Sequence, residues 1–477
     1  MNFSKKKIFI DSLIYTILPK VSFIAALLIL PWITPYLTLK DYGIYGLLMA
    51  YITIFQIVMI LGQNILLQNS FFTHPDKYKL VWRRSFAIMT LAGLTSCIIF
   101  GLILYFTLLD QLRDNGLKVF IMVSIYLILS PIDTIIVNYY VLKEKPLPYA
   151  YGAALTGLTT SLVTLITIKY LKYGYMGWII SLPMAVVMSY LYYFKRVFIL
   201  EKIIPEFRFN KRFLKKALRI GLPLTPHQLS LYILGISDRL LLEYFKVPIK
   251  SLGYYSQGYN MGSQGNIVTN GVFQALSKKI QEGFRGTNES NRNFIRKAII
   301  IVPIIISIIF FLGSLWMKEV FFILFRNPEL RQAYPISIVV ICSYMFWSIY
   351  TFFTYPLSIK NDTLSVSKIS VTAALFNIIG NIILIPYYGI WAALGVTYLS
   401  YIIFGFAGLL NKQNRAFLNT YINISKASLY LFFLNVFLFA MAYLSKDLNF
   451  LYKAFITMSL MLVLLFVFKK KPQLINL

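Results

Sequence analysis

Lys20, Asp133 and His227 are ionisable side chains set deep inside long apolar segments. Such groups are expensive in hydrocarbon and face a bundle interior or a watery cavity. At roughly 1.5 Å per residue, each lies about 14–15 Å from the near end of its segment, so the three share a middle depth. Pro19, Pro223 and Pro226 interrupt backbone hydrogen bonding beside Lys20 and His227. Lys20 at that depth suits an anionic substrate group; alternatively it pairs with Asp133 and fixes packing. His227 lines a cavity or bridges two helices. Asp133 holds a coupling cation, Na⁺ or H⁺, or neutralises a base.

Asp238 and Arg239 sit further along the same segment as His227, about 30 Å from its start. They are read as an interfacial structural pair with neighbouring helices, or as an outer gate. The next segment, YYSQGYNMGSQGNIVTNGVFQAL, is too polar to face lipid. Gln257, Asn260 and Gln264 fall at i, i+3 and i+7 on one helical face, and Asn266 and Asn270 form a second row. Amides and tyrosines at this spacing suit a wet cavity that hydrogen-bonds sugar hydroxyls. The competing reading is interhelical glue, with glycines for close packing.

Enzyme signatures are missing from the sequence: there is no Walker loop, no H-E-x-x-H and no G-x-S-x-G. With only His74 and His227, an imidazole-rich metal site is not expected. Cys97 and Cys342 lie in separate apolar segments without metal or redox spacing and read as small buried hydrophobes. No cofactor is expected.

These residues need a membrane to position them. Of 477 residues, 58% are hydrophobic and 13% charged, against roughly 25% charged in soluble domains. Long apolar blocks such as 85–109, 297–317 and 427–445 match the roughly 20 residues of a spanning helix. Fourteen spans are predicted, including 118–142, 218–243 and 253–275. No cleavable signal peptide is expected. With the N-terminus inside, the inner segments hold 32 Lys/Arg and the outer loops 12, so both termini are expected in the cytoplasm. The net charge of +29 is then mostly an orientation signal. It excludes nucleic acid as the natural partner and favours anionic membrane lipids.

The basic segment 196–217, RVFILEKIIPEFRFNKRFLKKA, is predicted as an amphipathic helix on the cytoplasmic surface. It divides the chain into a six-helix bundle (1–200), a linker (201–217), a second six-helix bundle (218–411) and two further helices (412–477). The halves begin alike. Ile17-Leu18-Pro19-Lys20 matches Ile220-Gly221-Leu222-Pro223-Leu224, Asp41-Tyr42-Gly43 matches Ser251-Leu252-Gly253, and Tyr173-Gly174 matches Tyr388-Gly389. The offsets, 204, 210 and 215, keep their order, and parallel repeats are expected.

The stretch Arg219–Tyr255, with Gly221-Leu222-Pro223, Ser237-Asp238-Arg239 and Gly253-Tyr254-Tyr255, resembles bacterial polysaccharide-biosynthesis flippases. These are the Wzx type of the multidrug/oligosaccharidyl-lipid/polysaccharide (MOP) superfamily. Asn377-x-x-x-Asn381, Ile385-Pro386-Tyr387-Tyr388-Gly389 and Ala392-Ala393 resemble a second family stretch, with Trp391 as a departure among small residues. The resemblance implies an all-α integral membrane protein of about fourteen transmembrane helices. Two parallel six-helix bundles would surround a central cavity, with two C-terminal helices added. It implies a bacterial inner-membrane location. It also implies movement of undecaprenyl-pyrophosphate-linked oligosaccharide, as for O-antigen or another surface polysaccharide, to the outer leaflet. Alternating access, driven by an ion or the membrane potential, would move it beside polysaccharide polymerase machinery. Lys20 suits the pyrophosphate, and Arg239, at a shallow depth, suits it less well. A multidrug antiporter, a peptidoglycan-precursor flippase and a membrane enzyme of glycan assembly are the competing expectations.

Overall fold

The computed structural model describes residues 20–60, 62–73, 75–108, 112, 115–208, 213, 215, 217, 219, 225–286, 289–360 and 362–470, with side chains for all but Lys20 and 463–470. Pro19, the Gly221-Leu222-Pro223-Leu224 stretch and the Lys20 side chain lie outside the described residues.

The protein is all-α, with no strand among the described residues. Hydrocarbon offers no partner to backbone amides, so a spanning chain must satisfy them internally, and helices do this. Among the described residues ten helices are long and apolar enough to cross a membrane, and two shorter apolar ones are Val21–Tyr36 and Phe450–Leu462. Large apolar side chains such as Leu102, Tyr105 and Phe106 are exposed on their outer faces, as a lipid-facing surface requires. At 218–243 and 253–275 the apolar signal is diluted. There the helices are Thr225–Ile236 with Asp238–Tyr244, and Ile249–Ser263 with Gly265–Arg285.

The chain forms two compact units. Unit 1 is Met1–Tyr232 with Leu324–Asn327; unit 2 is Ile233–Ile323 with Pro328–Leu477. In unit 1, the motif at Asp41 has a definite task. Thr38 and Asp41 cap the helix Leu39–Ile60 reciprocally, the Thr38 amide donating to Asp41 Oδ2 at 2.8 Å and the Asp41 amide to Thr38 Oγ1 at 3.3 Å. Asp41 Oδ1 also accepts from the Tyr175 amide at 2.9 Å, so one carboxylate caps two helices. Gly174, at φ 55° and ψ −134°, precedes Tyr175, and a side chain there would run into that carboxylate. Gly389, which the sequence aligns with Gly174, has φ 56° and ψ −131°. Such angles are essentially open to glycine alone. Elsewhere small residues let helices approach: Ser22 donates to the Ala153 carbonyl at 2.9 Å where its helix crosses Gly157.

Residues 202–208 correct one expectation. They form no helix on the membrane surface. Pro205 opposes one, and the acidic residues are held by the third span. Glu201 pairs with Lys79 at 2.8 Å and accepts from Tyr139 at 2.5 Å. Glu206 meets Arg83 at 3.3 Å and Arg84 at 3.7 Å, and its amide donates to the Arg83 carbonyl at 3.1 Å. Partial burial raises the Glu201 pKa, but the bonds from Lys79 and Tyr139 outweigh this and hold it below the usual carboxylate range.

In unit 2, the last two helices are latched to the helix pair Glu289–Leu315 and Met317–Leu324. Asn435 accepts from Ser307 at 2.5 Å, and Trp316 Nε1 donates to Thr457 at 3.0 Å. The buried Lys453 ammonium bonds both Glu319 carboxylate oxygens at 2.8 and 3.0 Å.

Candidate functional site

Two cavities of about 410 and 390 Å³ open inside unit 1. Both fall in the roughly 300–1,000 Å³ range of small-molecule sites. Asp133 lines both. One is bounded by the helices Leu39–Thr73, Tyr78–Phe106 and Gly116–Leu142. The other reaches Ser22, Tyr149, Thr156, Thr160 and Ser189.

A break in the fourth span produces this arrangement. Gly116–Leu129 and Pro131–Leu142 are separate helical segments meeting at Ser130. Pro131 has no amide hydrogen and suits the first turn of a new helix. Asp133 therefore stands in a first turn, where the helix dipole favours a carboxylate. Asp133 and Val137 are solvent-accessible although they belong to a membrane-crossing helix, because both project into cavity space.

Tyr126, Ser130, Thr134 and Asn138 recur every four residues and share a face of this span. Fixed amides oppose them. Gln56 Nε2 donates to the Tyr126 hydroxyl at 2.7 Å. Asn138 Nδ2 donates to Asn64 Oδ1 at 3.0 Å and to the Thr134 carbonyl at 2.8 Å, while its Oδ1 accepts from Gln68 at 3.2 Å. The sequence singles out Asp133 in this span but not the polar face at Tyr126, Ser130, Thr134 and Asn138. The longer polar run at 254–276 is the more conspicuous signal.

The sequence candidates of unit 2 form a different structure. Asp238 and Arg239 are both buried. Asp238 accepts from the Tyr255 hydroxyl at 2.5 Å, from the Thr397 hydroxyl at 2.6 Å and from Asn381 Nδ2 at 2.7 Å. Asn381 also donates to Asn377 at 3.1 Å. Arg239 bonds Ser256 at 3.2 Å and Asn260 Oδ1 at 3.1 Å, and stacks over the Tyr259 ring at 4.9 Å. Gln264 donates to the Asn260 carbonyl at 3.1 Å, and Gln257 is buried with Nε2 unpartnered. The structure thus joins Asp238, Arg239 and Asn260 in one polar knot within unit 2. His227, half-buried in the first turn of Thr225–Ile236, belongs to unit 1.

The membrane-crossing helix Pro328–Ile359 breaks at Tyr344, between Tyr334–Ser343 and Met345–Ile359. Tyr344 lies 214 residues after Ser130, an interval between the repeat offsets. Here the break is packed with rings: Trp347 meets Phe404 at 5.3 Å, and Tyr350 stacks on Phe404 at 3.7 Å. In the spanning stretch of Pro328–Ile359, 83% of the residues are buried, against 39% in that of Gly116–Leu142.

Solved transporters share this fold. The lipid II flippase MurJ in an inward closed conformation matches with a TM-score of 0.69 at 16% identity, covering 98% of this chain and 100% of that chain. An inward-facing multidrug resistance MATE family transporter of the MOP superfamily gives 0.62 at 11% identity, covering 86% and 96%. The MATE transporter VcmN of Vibrio cholerae gives 0.53 at 13% identity, covering 86% and 96%. These likenesses define the class of fold, that of multi-pass membrane proteins built like these transporters. The polysaccharide biosynthesis protein family matches residues 9–277, more than half of the sequence, and the chain belongs to it. An Lsg locus protein of Haemophilus influenzae is 25% identical over 284 residues, 57% of this chain, and the chain spans 65% of that relative's length.

Proposed function

We propose that the protein is a flippase that carries undecaprenyl-pyrophosphate-linked oligosaccharide from the cytoplasmic to the outer leaflet by alternating access, coupled to an ion or to the membrane potential. The observation that supports it most is the breadth of the likeness to a lipid II flippase, 98% of this chain, where the multidrug transporter reaches 86%. The family description, polysaccharide biosynthesis, agrees with a glycan cargo. The cargo's sugar belongs to a surface polysaccharide such as O-antigen, handed to polymerase machinery on the far side. The basic inner loops support cytoplasmic termini, and the repeated Gly174 and Gly389 geometry supports two like-oriented six-helix repeats with two C-terminal helices added.

In this reading Lys20 meets the pyrophosphate and Asp133 is the ion-coupling residue. Arg239, Asn260 and Gln264 spend bonds on one another's helices, so their contribution is to hold the second unit's wall. The test is translocation of a fluorescent undecaprenyl-pyrophosphate-linked glycan in proteoliposomes. Lys20→Ala is expected to slow it with normal insertion. Export of cationic dyes without glycan translocation would favour the antiporter reading instead.

A further inference from the structure

The cavity between the helices Leu39–Thr73, Tyr78–Phe106 and Gly116–Leu142 has polar atoms of fixed and alternating character. Gln56 has its amide nitrogen tied to Tyr126, so its carbonyl oxygen is the end left to accept. Asn64 is oriented the opposite way. Its carbonyl oxygen is tied to Asn138, so its amide nitrogen is left to donate. Asp133 adds an acceptor-only carboxylate, and Thr134 adds a hydroxyl that does both. Met89 and Val137 supply an apolar wall.

We propose that this cavity is a subsite for one sugar ring of the cargo, with Gln56, Asn64, Asp133 and Thr134 as the residues that select its hydroxyl pattern. The inference rests on the flippase reading and adds the place and chemistry of sugar recognition. A polyol is the ligand whose every hydroxyl both donates and accepts, so it can satisfy a wall that alternates between the two. Other ligand classes match less well. A phosphate would meet the Asp133 carboxylate. A metal cation suits the Asp133 carboxylate, the coupling role already given to it, but has no use for the Asn64 amide donor. A purely apolar molecule would leave the amides and the carboxylate without partners, at a cost for each. Met89 and Val137 suit the C–H face of a pyranose ring. Asn138 is a positioning residue: it fixes Asn64 and Gln68 through both ends of its amide. A site built to bond hydroxyls rejects analogues lacking them strongly, which gives the subsite its selectivity.

Saturation-transfer NMR on the full chain in nanodiscs tests this. The probes are the methyl glycosides of glucose, galactose, mannose, rhamnose and N-acetylglucosamine. Transfer to the ring protons of at least one glycoside is expected, with binding about tenfold weaker in Asn64→Ala and in the near-isosteric Thr134→Val. Thr420→Ala, at an exposed position in unit 2, is expected to bind as the parent does. Thr134→Val keeps the test decisive if Asn64→Ala fails to fold. Transfer to no glycoside, or equal transfer in both cavity variants, overturns the proposal. Sodium-23 line broadening that depends on Asp133, without glycoside transfer, overturns it in favour of a cation site. A protein that translocates lipid-linked glycan yet binds no glycoside defeats the subsite alone. One that binds glycosides but translocates nothing defeats the flippase reading alone.

Discussion

Asn381 donates its side-chain amide to the Asp238 carboxylate at 2.7 Å, a bond closed over 143 positions of sequence. Tyr255 and Thr397 converge on the same carboxylate, so three helical stretches besides its own meet at one buried charge. Arg239 begins a second set of bonds from the adjacent position. The pair does not need to touch to act as one knot, because each residue recruits its own neighbours.

Replacing Asp238 by Ala is therefore expected to destabilise the protein by roughly 3–5 kcal/mol, since three buried donors and a buried guanidinium lose their counterpart. Asp238→Asn recovers part of the loss. Thermal unfolding in detergent measures this, and an unchanged melting curve for the alanine variant would sink the idea.

Asp133 predicts the opposite pattern. It projects into cavity space, so Asp133→Asn is expected to shift stability by no more than about 0.5 kcal/mol, as at a site outside the packed core. Translocation in the same variant is expected to lose its dependence on a Na⁺ or proton gradient. Gradient-dependent transport that survives the substitution counts against the coupling role.

Lys453 is fully buried and bonds Glu319 through both oxygens. Lys453→Ala leaves Glu319 without its counter-charge and is expected to cost about 2–3 kcal/mol, less than a fully enclosed pair because Glu319 is partly exposed. Hydrogen exchange should rise across residues 445–462 while unit 1 stays protected. Uniform exchange in variant and parent would refute the latch.

The same region responds to acid. Bonds from Lys318 at 2.7 Å and Tyr334 at 2.6 Å hold the Asp447 carboxyl below the usual carboxylate range. A depressed folded pKa contributes stability that is complete above the unfolded value of about 3.9 and is lost as pH falls through the folded one. Exchange at 445–453 is expected to be flat from pH 7 to about 5 after correction for intrinsic rates, and to rise below about 4. Asp447→Asn should abolish that rise. A rise of equal size in the variant would assign it to another group.

Much of the fold was legible because hydrocarbon leaves a spanning backbone so few choices. Long apolar runs became long helices, and the Tyr-Gly pair at 173–174 and 388–389 became the same backbone conformation twice. Asp41 was visible as a repeat mark, but its double capping was not, because Tyr175 lies 134 residues away. Asn377 and Asn381 stood out as a spaced pair, and nothing in spacing linked them to Asp238. Periodicity reports which residues share a face, and it does not report which faces meet. The surface helix expected at 196–217 failed at 202–208 because charge composition was read without the ion pairs that Lys79, Arg83 and Arg84 provide. The unit 1 cavities were missed for a related reason: Ser130-Pro131 reads as a kink, and only the folded chain shows the space beside it.

The two broken helices, at Ser130 and at Tyr344, differ in what surrounds the break. Around Tyr344 the rings of Trp347, Tyr350 and Phe404 pack against one another, so tolerance to replacement is set by volume. Around Ser130 there is room, and tolerance is set by hydrogen-bonding character. A deep mutational scan should then separate the two breaks by the alphabet each accepts. Near Ser130, changes of size survive and changes of polarity fail; near Tyr344 the rule reverses.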